Sequence, residues 1–207
     1  MKIMIAVPCM DQTATPFTMS LAMLRKVDEC VLASEQGSLI YIARDNLAKK
    51  ALKMDADYVL WLDSDMVFDP DVLERLLENK EKGDIISGLY FRRAAPFSPV
   101  LYESLELSKD NIPIYTEFSA IPEDVFECAG IGFGCALMKT DVFLAVALKY
   151  GQMFHPFCGM GEDLAFSWRA RQCGFKIVCD PKIKLGHVGH VIITEEFYKQ
   201  FKGGVKS

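Results

Sequence analysis

A β-prone run, Asp57–Leu62 (DYVLWL), ends abruptly in Asp63-Ser64-Asp65. Its length and its β-branched and aromatic content suit a strand covered on both faces, as inside a parallel sheet. Such a strand needs helices on either side, and the neighbouring sequence supplies them. Lys2–Pro8 is another short apolar strand, Pro16–Lys26 reads as a helix and Glu29–Ala33 as a strand. Tyr41–Met54 carries apolar residues at helical spacing, with lysines and Arg44 on its other faces. Pro70, between Asp69 and Asp71, starts a helix over Asp71–Lys82 that Gly83 stops, and Asp84–Leu89 is a further strand. Strands alternating with helices across short connections predict an α/β fold with right-handed crossovers.

After Arg93 the pattern changes. Ala94–Glu127 holds Pro96, Pro99, Pro113 and Pro122 among short β-like runs, and reads as a meander too short to hold a core of its own. A glycine-rich turn (Gly130, Gly132, Gly134) then leads into the strand Cys135–Lys139 and the helix Asp141–Tyr150. Gly161 precedes a helix over Glu162–Gln172 that Gly174 closes. Phe175–Cys179 and Ile183–His187 read as strands separated by a turn at Pro181, and the polar tail Phe201–Ser207 is expected to fray. Trp61 and Trp168 lie inside regular elements among apolar neighbours, which favours core packing over exposed platforms.

With 207 residues, 51% of them hydrophobic, the chain suits one domain rather than a disordered segment. A net charge of -5 argues against a nucleic-acid partner, which requires a concentrated basic face. The seven cysteines are scattered with no CxxC pair, which favours reduced, buried thiols and a cytoplasmic protein. The apolar stretch in the amino-terminal MKIMIAVPCMDQ is too short to cross a membrane and lacks a leader cleavage pattern.

Asp63 and Asp65 sit at the carboxyl end of an apolar strand, where open α/β sheets bind ligands. Side chains two apart on extended backbone share a side, so both carboxylates face one crevice. Two hard oxygen ligands suit Mg²⁺ or Mn²⁺, which then turns an acidic pocket into a site for a diphosphate. The alternative is a solvated acidic turn before a helix, since Asp and Ser are ordinary turn residues.

The stretch ARDNLAKKALKMDADYVLWLDSDMVFDPDVLERLL resembles the donor half of A-type glycosyltransferases, especially those related to family 2. AGIGFGCALMKTDVF resembles their glycine-containing strand beside the acceptor, GEDLAFSWRARQCGFKI their acidic pair opening a helix, and LGHVG their late metal-binding histidine. The resemblance implies an α/β, mostly parallel mixed sheet flanked by helices in a single Rossmann-like domain. Within it, residues 1–93 would hold the nucleotide sugar and metal, and 94–200 the acceptor. It also implies transfer of a sugar from a nucleoside diphosphate sugar to an acceptor hydroxyl on a glycan, lipid-linked molecule or protein, with Mn²⁺ or Mg²⁺. Asp63, Asp65 and His187 are then the metal ligands, with His190 the nearby competitor; a histidine ligand tilts the choice towards Mn²⁺. Pro8, Glu35, Arg44, Asp63, Ser64 and Asp65 would line the donor site, with Arg92 and Arg93 further phosphate candidates. Asp163 matches the base position and Glu162 its acceptor-side neighbour, which favours inverting chemistry.

The match is incomplete. The loop PCMDQTATP lacks the family's usual pattern after the first strand, and ASEQGS leaves only Glu35 where an acidic pair reads the base. The Q-x-x-R-W signature of processive members is absent, which implies single additions. Few residues follow the histidine, leaving little room for a lid. Two rival readings are a non-catalytic sugar-nucleotide or glycan-binding protein on this fold and a nucleotidyltransferase. The second ordinarily carries a glycine-rich basic phosphate loop that PCMDQTATP does not supply.

Overall fold

The computed structural model describes residues 1–27 and 29–189. Strand β1 (Lys2–Cys9) leads through α1 (Thr15–Met23) to β2 (Glu29–Gln36), then α2 (Ile40–Lys53) and β3 (Tyr58–Leu62). Two residues of β4 (Met66–Val67), α3 (Val72–Leu77) and β5 (Ile85–Leu89) follow. The second half contains β6 (Leu101–Leu107), β7 (Pro113–Glu117), β8 (Phe126–Glu127), β9 (Gly130–Ile131) and β10 (Cys135–Lys139). It continues with α4 (Thr140–Tyr150), α5 (Glu162–Gln172), β11 (Ile177–Lys184) and β12 (Gly186–His187).

The main sheet has seven strands in the order β2-β1-β3-β10-β5-β11-β8. β1 runs parallel to β2 and β3, and β5 parallel to β11, whereas β10 lies antiparallel between β3 and β5. β8 is also antiparallel to β11, so three of the six ladders are parallel and three antiparallel. The fold is α/β with a mixed sheet flanked by helices, as the resemblance implied, but less parallel than expected.

Strand parity divides the core. Met4, Ala6, Val59 and Trp61 face one side, where Leu47, Ala48 and Ala51 of α2 meet Phe143 of α4 and Phe166 of α5. Ile3, Ile5, Leu60 and Leu62 face the other, against Phe17 of α1 and Val72, Leu73 and Leu76 of α3. Every residue from Val59 to Leu62 is fully buried, which is why the run contains no polar residue. Trp61 packs edge-on to Phe143 and Phe154, and truncating it to alanine should cost about 3–5 kcal/mol.

Two local expectations are corrected. Pro181 does not end a strand: β11 runs through it, with its register against β5 shifting between Asp180 and Lys184. A bulge tolerates the missing N–H that a regular ladder would not. The helix expected over Asp71–Lys82 is shorter, forming only over Val72–Leu77. Gly83 is small for packing rather than for stopping the helix, since a Cβ there would lie 2.8 Å from Val178 Cγ2. The tail 201–207 and His190 lie outside the described residues. Among the described residues no helix is long and apolar enough to cross a membrane, and no disulfide joins the cysteines.

Candidate active site

The Asp63-Ser64-Asp65 turn is held by its backbone. Asp63 N donates to Gly134 O at 2.9 Å, Ala14 N to Ser64 O at 2.9 Å, and Met66 N to Asp63 O at 3.1 Å. β4, directly after the turn, pairs with β12 so that His187 stands opposite Met66, and Val188 N donates to Asp65 O at 2.8 Å. This small sheet brings the His187 imidazole to Asp65, with Nε2 3.4 Å from Oδ2.

His187 Nδ1 lies 2.9 Å from Phe91 O. A carbonyl only accepts, so Nδ1 carries the proton and a neutral ring turns its Nε2 lone pair towards the Asp65 carboxylate. Two lone-pair groups in that position require a proton or a cation between them. The 3.4 Å gap exceeds a good hydrogen bond and is close to the roughly 3 Å between adjacent ligands of a small divalent ion bound at about 2.1 Å. Backbone support on the far ring nitrogen is also what metal-binding histidines ordinarily have. The pair therefore fits a divalent cation. Among the described residues, no three His, Cys, Asp or Glu side chains form a closed metal cage.

Asp65 Oδ2 is shared, because Arg93 Nη1 also pairs with it. Burial alone would raise the Asp65 pKa, but His187 and Arg93 outweigh it and hold the carboxyl below its ordinary range. Donation from a protonated Nε2 to the Asp65 carboxylate favours the charged ring and pushes the His187 pKa upward, against its partial burial.

Asp63 is committed differently. The Arg44 side chain is 1% exposed, with Nη2 on Asp63 Oδ1 at 2.8 Å and Nε on Glu162 Oε1 at 3.5 Å. Its guanidinium lies over the Trp61 and Phe133 rings, 5.3 and 5.5 Å from their centroids. Burial would lower the Arg44 pKa, but Asp63, Glu162 and Asp163 together raise it. At Asp63 burial prevails over Arg44 and the pKa rises. The next residue of α2, Asp45, accepts from Phe154 N at 2.9 Å and anchors the segment leading to α5. One helix thus ties the end of β3 to the start of α5.

At that start, Glu162 and Asp163 occupy the first helical turn after Gly161. Asp163 Oδ1 accepts from Leu164 N at 2.7 Å, which favours ionisation. Burial, aided by Glu162, prevails and pushes the Asp163 pKa up to about 6. Asp63, Asp65, His187, Tyr90, Glu162 and Asp163 all line one cleft of about 350 Å³.

The family model described as glycosyl transferase family 2 matches residues 21–146. The chain belongs to glycosyl transferase family 2. No curated protein matches it in sequence. Among solved structures it is similar to A197 from STIV, with a TM-score of 0.57 and 18% identity over 94% of this chain and 97% of that one. It is also similar to GalNAc-T7, a structure with UDP, GalNAc and Mn²⁺, with a TM-score of 0.60 and 11% identity. That likeness covers 90% of this chain but 44% of GalNAc-T7, so the chain spans less than half of that protein. At these identities the likenesses are of fold.

Within this family member the other expected donor residues separate. Pro8, Ser64 and both aspartates line a second crevice of about 200 Å³, next to Ser38 and Ile40. Glu35 pairs with Pro8 across the β1–β2 ladder and accepts from Asn46 Nδ2 at 2.9 Å. Arg44, expected to meet phosphate, lies beneath the carboxylates with Nη2 on Asp63 and Nε on Glu162, while it also lines the cleft and its buried Nη1 has no partner among the described residues. Arg92 reaches Tyr102 Oη at 2.7 Å and Glu117 Oε1 at 3.0 Å.

Sequence reasoning missed Tyr90. It follows β5, is 4% exposed, accepts from Gly134 N at 3.0 Å, and meets His187 edge-on at 5.7 Å. The glycine-rich segment makes room for it, since a Cβ on Gly132 would lie 2.1 Å from the Tyr90 oxygen. The available signal was position, because Tyr90 ends an interior strand as Asp63 does.

Proposed function

We propose that the chain is a divalent-metal-dependent glycosyltransferase that adds a single sugar from a nucleoside diphosphate sugar to an acceptor hydroxyl with inversion. Residues 1–93 would form the donor half and 94–200 the acceptor half, except that His187 returns to the donor site. The observation that carries this reading is one cleft that joins the Asp65–His187 pair to an uncompensated Asp163. Asp65 and His187 would hold the ion, and Asp63 faces the same cleft from its ion pair with Arg44. A bound Mn²⁺ or Mg²⁺ supplies Lewis-acid neutralisation of the departing diphosphate. The crevice beside Pro8, Ser38 and Ile40 suits the nucleoside, with Ser64 at its edge and Glu35 nearby.

Asp163 accepts the proton of the acceptor hydroxyl as that oxygen attacks the anomeric carbon, and the sugar–diphosphate bonding pair leaves with the nucleotide. A pKa of about 6 leaves this base ionised at neutral pH yet basic enough to take a proton. Glu162, held by Arg44, positions the acceptor beside it.

Calorimetric titration with UDP-, GDP-, CMP- and dTDP-sugars, with Mn²⁺ and then EDTA, tests the proposal on wild type and Asp65→Ala. One nucleotide class should bind only with metal, and the variant should lose that binding. Binding indifferent to EDTA and to the substitution would overturn it. Metal-dependent binding without any release of sugar would instead favour a non-catalytic sugar-nucleotide-binding protein.

A further inference from the structure

Arg93 stands where three depressions meet. One is the catalytic cleft, one is lined by Phe91, Phe97 and Leu185, and one by Gln12–Thr15 with Val188. Its Nη1 pairs with Asp65 Oδ2, the same oxygen that faces His187 Nε2. Unlike Arg44, which is 1% exposed, its side chain is 54% exposed and carried on a long flexible stem, with the Asp65 ion pair as its contact in the cleft. The loop that carries it also supplies Phe91 O, the acceptor that orients His187.

We propose that Arg93 holds the cation's place at Asp65 and transfers to the donor diphosphate when metal and nucleotide arrive, making their binding cooperative. This rests on the metal reading of Asp65 and His187. A divalent ion between Oδ2 and Nε2 needs the oxygen that Arg93 occupies, so metal binding alone breaks an ion pair. It also leaves a guanidinium beside a dication. The diphosphate resolves both costs, because its oxygens accept the released guanidinium while neutralising the ion. Metal therefore binds weakly alone and tightly with diphosphate, and by linkage the diphosphate gains the same factor from metal. Arg92, engaged with Tyr102 and Glu117, has no such role.

The test is electron paramagnetic resonance of free Mn²⁺, titrated into wild type, Arg93→Gln, Arg92→Gln and Asp65→Ala, alone and with UDP or GDP. Arg93→Gln should bind Mn²⁺ alone about five- to tenfold tighter than wild type, while its tightening by diphosphate shrinks by about tenfold. Arg92→Gln, which loses the same charge nearby, should stay within about twofold of wild type. Wild-type metal binding that Asp65→Ala abolishes but Arg93→Gln leaves unchanged would overturn the exchange and keep the metal site. Equal tightening in both arginine variants would overturn it too, since general charge would suffice. Diphosphate bound without Mn²⁺ and lost in Arg93→Gln would mean that the arginine replaces the ion permanently, overturning both readings.

Discussion

The two walls of the cleft treat their carboxylates in opposite ways. On the wall proposed to bind the donor, Asp65 faces a histidine and an arginine and is held more acidic than usual. On the wall proposed to bind the acceptor, Asp163 shares a helical turn with Glu162, has no ion-pair partner among the described residues, and rises to about 6. Asp63 lies between these extremes, with an arginine partner but enough burial to prevail over it. A carboxylate surrounded by cationic groups stays charged and offers lone pairs to a metal. One kept partly dry and uncompensated is poised to take up a proton. On the proposed function, the cleft would separate cation binding from proton transfer by environment, using the same functional group twice.

The sharpest break in that contrast is Asp65→Ala. Loss of the cation should lower donor turnover by on the order of 10³–10⁴-fold, the several kcal/mol that a metal contributes to charge neutralisation. A steady-state assay of nucleotide release measures it. Arg44→Met attacks the link between the walls. It leaves Asp63 and Glu162 without their shared cation, and should cost about 3 kcal/mol of stability in urea unfolding. A loss below about 1 kcal/mol would mean that the carboxylates relax into solvent.

The pH dependence sharpens the acceptor side. If Asp163 must be ionised to act, turnover should fall about tenfold per pH unit below about 6 and level off above it. The smallest effect concerns stability. The folded pKa of Asp163 lies above its unfolded value, so its favourable contribution is present at low pH and is lost as pH rises through about 6. Asp163→Asn removes that loss and should stabilise the protein at pH 7 by about 1–2 kcal/mol, after discounting for partial solvent exposure. The gain should vanish at pH 4 in the same unfolding experiment.

Much of this was legible in the sequence because it is local. The apolar run ending in Asp63-Ser64-Asp65 marked an interior strand, and Gly161-Glu162-Asp163 marked the start of α5. What stayed hidden depends on pairing between distant segments. Nothing near His187 says that β12 will lie against β4, yet that pairing delivers it to Asp65. Arg44 was expected to meet phosphate because its burial over Trp61 and Phe133, and its ion pairs with Asp63 and Glu162, arise from the tertiary fold. Pro181 read as a turn because the bulge that accommodates it is a property of the β5–β11 register. Local patterns located the carboxylates, whereas their different environments are products of the tertiary fold.

The central claim is that one wall holds the ion and the other takes the proton. It is tested most directly on Asp163→Asn, by measuring metal-dependent donor binding and donor turnover in the same preparation. Donor affinity within about threefold of wild type, with turnover reduced on the order of 10²–10³-fold, is the predicted result. Undiminished turnover, or loss of metal-dependent donor binding along with it, would contradict the division of labour.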